Sequence, residues 1–157
     1  MTHIRVRLGV LALITGFAIL TTVQADEKKI KREELPPAVE KTVAEQSQGA
    51  TIKGFSTELD KGKRIYEVKL TVNGHGKDIS MDKDGKIVEV EEEVAMDSLS
   101  PEVKAGLTKA AGSGTITTVE SLTKGGKLVA YEAGVKNGPK QSEVQVGPNG
   151  NKLAHEE

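Results

Sequence analysis

The sequence predicts an α+β protein of two tandem repeats, in which each repeat packs one helix on a three- to four-stranded antiparallel sheet. The first observation is an alternation of apolar and polar residues from Tyr66 to Val94, interrupted by two glycine turns, which is typical of half-buried strands. The second is a pair of valines, Val39 and Val43, spaced for one face of a helix. The third is the recurrence of the same motifs, in the same order, about 64 residues later.

The alternating stretch divides into three strands. On the first strand the apolar and polar residues take opposite parities, with Tyr66, Val68, Leu70 and Val72 against Glu67, Lys69 and Thr71. Asn73-Gly74 and Asp84-Gly85 supply the reversals, because these residues tolerate the backbone of tight turns. We therefore expect one face of the meander to be buried under the first helix, through Tyr66, Val68, Leu70, Ile79, Met81, Val88 and Val90.

The elements that precede the meander are predicted from turn and cap signals. Pro37 is placed in the first turn of the helix, where its missing N–H has no partner, and Gly49 comes directly after the helix end. A strand is predicted from Thr51 to Leu59, and its irregular apolar spacing indicates a bulge near Gly54.

A second copy of this unit begins at Leu99. Ser100 is a good N-cap and Pro101 a good first helical residue, and Val103 and Leu107 correspond to the two valines of the first helix. The repeats are placed at residues 35–94 and 99–157, and the sequence leaves open whether their sheets join edge to edge or pack about a pseudo-twofold axis.

The second repeat is predicted to be degenerate and the less stable of the two. Gly134 lies within its central strand, where glycine weakens pairing, and Pro139 lies at its hairpin.

The first 25 residues are predicted to be a secretory signal peptide, cleaved near Ala25. Arg5 and Arg7 precede an apolar run from Leu8 to Leu20, which is too short to span a bilayer comfortably. The absence of cysteine excludes a lipid anchor on a cysteine. We therefore expect a periplasmic or secreted protein with no stable membrane anchor after cleavage.

Residues 26–34 form a charged leader that we expect to remain solvated, with some helix where it joins the first repeat. The whole chain has 22 Lys and Arg against 23 Asp and Glu, so no basic field argues for nucleic acid. With no cysteine there is no disulfide framework, and the core must hold by packing alone.

Three motifs of the first repeat resemble the PepSY family: the helix opening at Leu35 and Pro37, the strand that begins Tyr66-Glu67-Val68, and the turn from Asp82 to Gly85-Lys86. Two copies in an exported chain are similar to the PepSY-like relatives of β-lactamase inhibitory proteins. The second repeat departs from the pattern, with Ala133 in place of the valine and residues 147–150 in place of the aspartate turn.

The resemblance implies a non-catalytic module outside the cytoplasm that restrains a peptidase or binds another exported protein. It supplies no catalytic residues and no cofactor.

The residues themselves also favour a protein that is not an enzyme. Beyond the signal peptide the histidines are His75, between two glycines in a predicted hairpin turn, and His155, in a tail that we expect to be disordered. The competing interpretation is a small hydrolase that uses His75. Asp82 and Asp84 resemble the start of a calcium loop, but Gly85 comes too early, so we expect a hairpin turn and no metal site.

The candidate binding surface is the polar face of the meander. Its residues are Glu67, Lys69, Thr71, Glu89, Glu91 and Glu93, with Glu132 and Glu143 as counterparts in the second repeat. We expect it to bind another exported protein weakly and by charge, because the chain has no Trp and Tyr66 and Tyr131 are assigned to the core. The alternative is a sensor that binds a cation or small ligand through Glu89, Glu91 and Glu93.

Overall fold

A computed structural model of the chain describes residues 27–157. The predicted signal peptide, residues 1–25, lies outside the described residues. Among the residues that are described, no helix has both the length and the apolar character that crossing a bilayer requires.

The described chain contains eight strands, two α-helices and two short 3-10 helices. In order they are β1 (Lys28–Ile30), a 3-10 helix (Arg32–Glu34), α1 (Pro37–Gln46), β2 (Thr51–Asp60), β3 (Lys63–Val72), β4 (His75–Asp82), β5 (Ile87–Glu93), a 3-10 helix (Met96–Ser98), α2 (Pro101–Ala111), β6 (Thr115–Lys124), β7 (Lys127–Asn137) and β8 (Lys140–Val146).

All eight strands form one antiparallel sheet in which spatial order matches chain order. This confirms the predicted α+β class and decides between the two packings, because β5 and β6 join the halves edge to edge, from Glu89↔Lys124 to Glu93↔Glu120. The order helix then strands occurs twice along the chain. That the two halves arose by tandem duplication stays a prediction.

Both helices cover the same face of the sheet, over two adjacent cores. The first core contains Leu35, Val39, Val43, Val68, Leu70, Ile79 and Met81. The second contains Leu99, Val103, Leu107, Val119, Ala133 and Val146. Val90 and Val94 have the same parity along β5 and its extension. Val90 packs against the first core and Val94 against the second, so the two cores lie on one face of the sheet. Tyr66 and Tyr131, which were predicted to lie in the core, are half-buried and pack against these cores from their borders.

The prediction that Val88 is buried under the first helix is wrong. A bulge between β4 and β5 pairs Ser80 with Glu89 and Met81 with Ile87, so Val88 is the extra residue. Ile87 packs against the first core instead, and Val88 lines a hollow on the opposite face beside Glu89. Alternation fails here because a single inserted residue exchanges the faces of all residues on one side of it.

The leader also differs from the prediction. Its lysines are exposed, but its backbone forms β1, which pairs with β2 from Lys28↔Thr57 to Ile30↔Phe55. Ile30 packs against the first core, which explains why this short segment joins the sheet.

Two turns bring glycine against the helices. Gly85, with φ of +76°, lies where a Cβ would meet the backbone of Ala38, and Thr42 Oγ1 donates to Gly85 O at 2.8 Å. Gly150, with φ of +78°, lies in the same way against the backbone of Glu102. Both positions require a residue without a side chain.

The aspartate turn is held by the carboxylate of Asp82, in agreement with a hairpin. Asp82 Oδ1 accepts hydrogen bonds from Asp84 N at 2.9 Å and Lys86 N at 3.0 Å. In the second half Asn149 Oδ1 accepts from Asn151 N at 3.1 Å, a bond of the same local kind, but it comes from the position that corresponds to Asp84, because Gly147 takes the place of Asp82.

The segment after β8 is not a disordered tail. Lys152 forms an antiparallel bridge with Val146, and Gly147 N donates to Asn151 O at 2.8 Å. Glu157 N then donates to Gln145 Oε1 at 2.8 Å, while His155 itself is exposed.

Candidate functional site

The candidate site is the face of the sheet that carries no helix, hereafter the open face. The strand registers place the six predicted residues on it in three rows across β3, β4 and β5. Glu67 lies opposite Ser80 and then Glu89, and Lys69 lies opposite Asp78 and then Glu91. Thr71 lies opposite Gly76, whose N–H reaches Glu93. The alternation therefore identified one continuous surface, although the binding role of these residues stays a prediction.

Lys69 is the cationic centre of the first half of this face. Its Nζ lies 3.2 Å from Glu67, 3.6 Å from Asp78 and 3.7 Å from Glu27. Burial by itself lowers the pKa of Lys69, but the nearby carboxylates Glu67, Asp78 and Glu27 outweigh burial and hold the pKa above its usual range. Lys69 is therefore a fixed charge that neutralises part of an acidic surface.

Asp78 is a member of this surface that the sequence prediction missed. Burial raises its pKa, and the neighbouring Glu67 raises it further, while Lys69 opposes both effects. Its parity with Ser80, opposite to Ile79 and Met81, was the signal that could have identified it.

Glu91 lies at the centre of the sheet, with Asp78 on one side and Leu122 on the other. Burial, together with repulsion from Glu89, Glu132 and Glu120, raises the pKa of Glu91 to about 9. Glu91 is therefore protonated at neutral pH and presents a neutral carboxylic acid among charged neighbours.

The other two predicted acids on β5 already have protein partners. Glu93 Oε2 accepts a hydrogen bond from Gly76 N at 2.8 Å, which anchors the β3–β4 hairpin to β5. Glu89 Oε2 lies 3.1 Å from Lys124 Nζ across the β5–β6 junction. Glu89, Glu91 and Glu93 are thus one ion pair, one neutral acid and one partnered hairpin anchor rather than three free carboxylates.

A preformed cation site would need three converging ligands. Between residues 27 and 157, no group of three or more His, Asp or Glu side chains is arranged to hold a metal ion. Asp82, the first residue of the calcium-like motif, uses its carboxylate to hold its own turn.

The second half extends the acidic surface across β6 and β7. Glu120 lies opposite Glu93 and Glu132, and burial raises the pKa of both Glu120 and Glu132. Gln145 Nε2 donates to Glu132 Oε2 at 2.7 Å and opposes that rise. Glu120 and Lys124 were not predicted, because they share their parity in β6 with the apolar Leu122, so this strand shows no clear polar face in the sequence.

The open face of the second half is concave. A hollow of about 810 Å³ lies over β6, β7 and β8, lined by Thr118, Glu132, Gly134, Glu143 and Gln145 among others, and is hereafter the acidic hollow. Gly134 is part of this lining, and a Cβ there would meet the hydroxyl groups of Thr117 and Thr118, so the close contact with β6 favours glycine.

The residue of the rival hydrolase hypothesis lies away from this surface. His75 is exposed at the β3–β4 hairpin, directly opposite Val72. A general base needs an orienting partner and a pocket, and none of the main hollows within residues 27–157 lies at this hairpin tip.

Comparison with known proteins shows the fold. No family model matches the chain, and no curated protein matches it either. A DUF2874 family protein from Bacteroides ovatus aligns with a TM-score of 0.57 and 19% identity, over 76% of this chain and 84% of that chain. A protein from Bacteroides eggerthii described as periplasmic aligns with a TM-score of 0.60 and 15% identity, over 76% and 86%.

The third comparison is with a BLIP-like protein from Bacteroides fragilis. It aligns with a TM-score of 0.53 and 20% identity, over 74% of this chain and 81% of that chain. Identities this low show a shared architecture and nothing about ligands. The predicted PepSY resemblance is not named by these structures and stays a prediction. The chain has a fold similar to that of BLIP-like and DUF2874 proteins.

Proposed function

We propose that the protein is an exported, non-catalytic binding module whose open face binds a basic surface of another exported protein. The observation that carries the proposal is the crowding of carboxyl groups on the face without helices. Burial and mutual repulsion raise the pKa of Asp78, Glu91, Glu120 and Glu132 there. A cationic partner would relieve this repulsion, so the surface favours binding of a positively charged partner over a negatively charged one.

The contact is of the weak, charge-steered kind. The large hydrophobic side chains exposed on the described part of the chain are Leu59 and Leu128, and the sequence contains no Trp. Tight interfaces are usually anchored by Trp, Tyr and Arg, whereas complementary charge mainly sets partner choice and association rate.

Export and duplication belong to the same proposal. The Arg5 and Arg7 region with the apolar run after it supports cleavage near Ala25, and similar structures described as periplasmic support the compartment. We infer that the two halves are PepSY-like repeats at residues 35–94 and 99–157, supported by the repeated order of helix and strands. A peptidase restrained by this protein is one partner that the PepSY resemblance implies.

The experiment that tests the proposal compares baits in affinity capture from an exported-protein extract. The open-face variant combines Glu58→Gln, Glu67→Gln and Glu120→Gln, which remove charge while keeping side-chain shape. Glu58 on β2 belongs to the open face, because it lies opposite Ile65, two residues from Glu67 on β3. The matched control is Glu45→Gln, because Glu45 is exposed on α1 on the other side of the sheet. The captured protein is then identified, purified and titrated against each bait at low and high salt.

The proposal expects a basic protein to bind the wild type and the control alike, with an affinity that falls with salt and is lost in the triple variant. Equal binding by the triple variant would contradict it. Calorimetric binding of calcium with no protein captured would favour the cation sensor instead.

A further inference from the structure

The outer edge of β8 carries backbone groups that point away from the sheet. Gly147 N donates to Asn151 O on the side of β8 that does not face β7. Backbone N–H and C=O groups alternate in direction along a strand, so those of Gln141 and Glu143 point to the same outer side. Among residues 27–157, no backbone partner pairs with these outward groups.

This edge has charged side chains, the exposed Lys140 and Glu143, but it lacks the other features that usually protect a sheet edge, a short strand or a bulge. Strand β8 is seven residues long, pairs with β7 without a bulge, and exposes Gln141, Ser142 and Glu143. The opposite edge of the sheet ends in β1, which has three residues and is therefore a short edge strand. At the far end of β8, Lys152 bridges Val146, so the free part runs from Lys140 to about Gln145.

Two hollows of different character flank the free edge. On the open face lies the acidic hollow, whose lining includes Glu132, Glu143 and Glu156 and, within the described chain, no lysine or arginine. On the helix face lies a hollow of about 430 Å³ between α2 and β8. Ala110, Val144 and Val146 supply its apolar lining, Lys109 and Lys152 lie at it as well, and it shares Glu143 and Glu156 with the acidic hollow. A strand added beside β8 would direct successive side chains into these two hollows in turn.

We propose that the free edge of β8 binds an extended segment of a partner protein, in which basic residues alternate with apolar ones, as a ninth strand. The outward groups of Gln141 and Glu143 supply the backbone hydrogen bonds. The acidic hollow receives the basic side chains and the hollow beside α2 receives the apolar ones. The inference goes beyond the proposed function, because it concerns a backbone edge and a linear segment rather than the face of the sheet.

A second copy of the chain fits this edge less well than such a segment. Two β8 strands paired antiparallel about Glu143 would place the two Glu143 carboxylates directly opposite each other. Like charges in that position destabilise strand pairing, whereas a lysine opposite Glu143 stabilises it.

The probe is a synthetic peptide of about seven residues in which lysine and valine alternate. Two control peptides are used: one with glutamate in place of lysine, and one with the same composition in which lysines and valines form separate blocks. Binding is measured by fluorescence anisotropy, and the position of binding by amide hydrogen exchange of the unmodified protein.

The protein variants separate the contribution of the backbone hydrogen bonds of β8 from the contribution of its side-chain charge. Gln141→Pro removes one outward N–H and leaves the β7 ladder intact, because proline is accepted in edge strands where its nitrogen faces solvent. Glu143→Gln removes charge but keeps every backbone donor. The control Glu45→Gln changes an exposed carboxylate on α1.

The proposal expects the alternating peptide to slow exchange of the Gln141 and Glu143 amides and to bind Gln141→Pro about tenfold more weakly, since hydrogen bonds at the edge are lost. Glu143→Gln should weaken binding less at high salt than at low salt. No binding of the peptide, or binding without slowed exchange in β8, would overturn it.

Self-association of the protein that is blocked by Gln141→Pro would assign the edge to a second copy and would also overturn it. The open-face variant built from Glu58, Glu67 and Glu120 should bind the peptide like the wild type. A result that contradicts binding at the open face can therefore be told apart from one that contradicts binding at the edge of β8.

Discussion

At the scale of single residues, the open face concentrates carboxyl groups that folding does not fully compensate. Glu91 is the extreme member, facing Asp78 on β4, Leu122 on β6 and, further along the face, Glu89 and Glu120. Each of these acids loses hydration on folding, and the two nearby lysines are already engaged by Glu67, Asp78 and Glu89. A surface whose carboxyl groups are dehydrated and only partly neutralised is more typical of a binding site than of a surface that stabilises the fold.

The raised pKa of Glu91 predicts a pH dependence of stability. Its folded-state pKa of about 9 lies above the ordinary value of 4.5, so the stability it contributes is fully present below about pH 4.5 and is lost as the pH rises toward 9. Glu91→Gln should therefore raise the free energy of unfolding at pH 8, by up to about 5 kcal/mol because each pH unit above 4.5 costs about 1.4 kcal/mol, and change little at pH 4. Urea unfolding from pH 4 to pH 9 measures this.

The control for that measurement is Glu45→Gln, which should leave the pH profile unchanged because Glu45 is exposed. A Glu91→Gln profile parallel to that of the wild type would show that Glu91 is ionised in the folded protein.

Gly85 offers a second prediction at this scale. Gly85→Ala must adopt φ of +76° and also place its Cβ against the Ala38 carbonyl, which is backbone and cannot rotate away. Gly62→Ala has a nearly equal φ of +78° but open space around the Cβ. We expect Gly62→Ala to cost about 1 kcal/mol and Gly85→Ala clearly more, on the order of 2–4 kcal/mol. Equal costs in denaturant melts would mean that the close approach to α1 is unimportant.

At the scale of elements, the strand that alternates most strictly is also the one at the heart of the first core. Val68 is 0% exposed and packs beneath Val39 and Val43, whereas Val72 at the end of the same strand is half-buried. Val68→Ala should destabilise the protein by about 1–4 kcal/mol, and Val72→Ala by less, because the cavity at the strand end can fill with solvent. Thermal and urea unfolding of the two variants measure this difference. A larger loss of unfolding free energy in Val72→Ala than in Val68→Ala would indicate a different strand register.

The strand registers also explain how much of this fold the sequence predicts. Alternation predicts β3 and β4 and the face that Glu67, Lys69 and Asp78 share, since each of these strands pairs in register. It fails at Val88 in β5 and at Val129 in β7, the extra residues of two bulges that exchange the faces of their strands. It also misses β1, because a strand of three residues is held by pairing with β2 and by one apolar side chain rather than by its own pattern.

At the scale of the whole molecule, the two halves share a sheet but not a core. The join includes five residue pairs between β5 and β6, the Glu89–Lys124 ion pair and the hydrogen bond from Val94 N to Val119 O at 2.9 Å. Neither half alone has a large core, and separation would expose two long strand edges to water. We infer that the continuous sheet makes the halves one folding unit, in contrast to two independent domains.

The two tyrosines allow a direct test of this inference, because the chain has no Trp and Tyr66 and Tyr131 report on different halves. Tyr131→Phe leaves a fluorophore in the first half only, and Tyr66→Phe leaves one in the second half only. If the sheet couples the halves, the two single-tyrosine proteins should each unfold in urea at the midpoint seen by far-ultraviolet circular dichroism. The second half contains Gly134 within β7 and is the weaker candidate to stand alone. A Tyr131 signal that is lost at lower urea than the Tyr66 signal would therefore show that the β5–β6 join does not transmit stability, and the module would then consist of two separate domains.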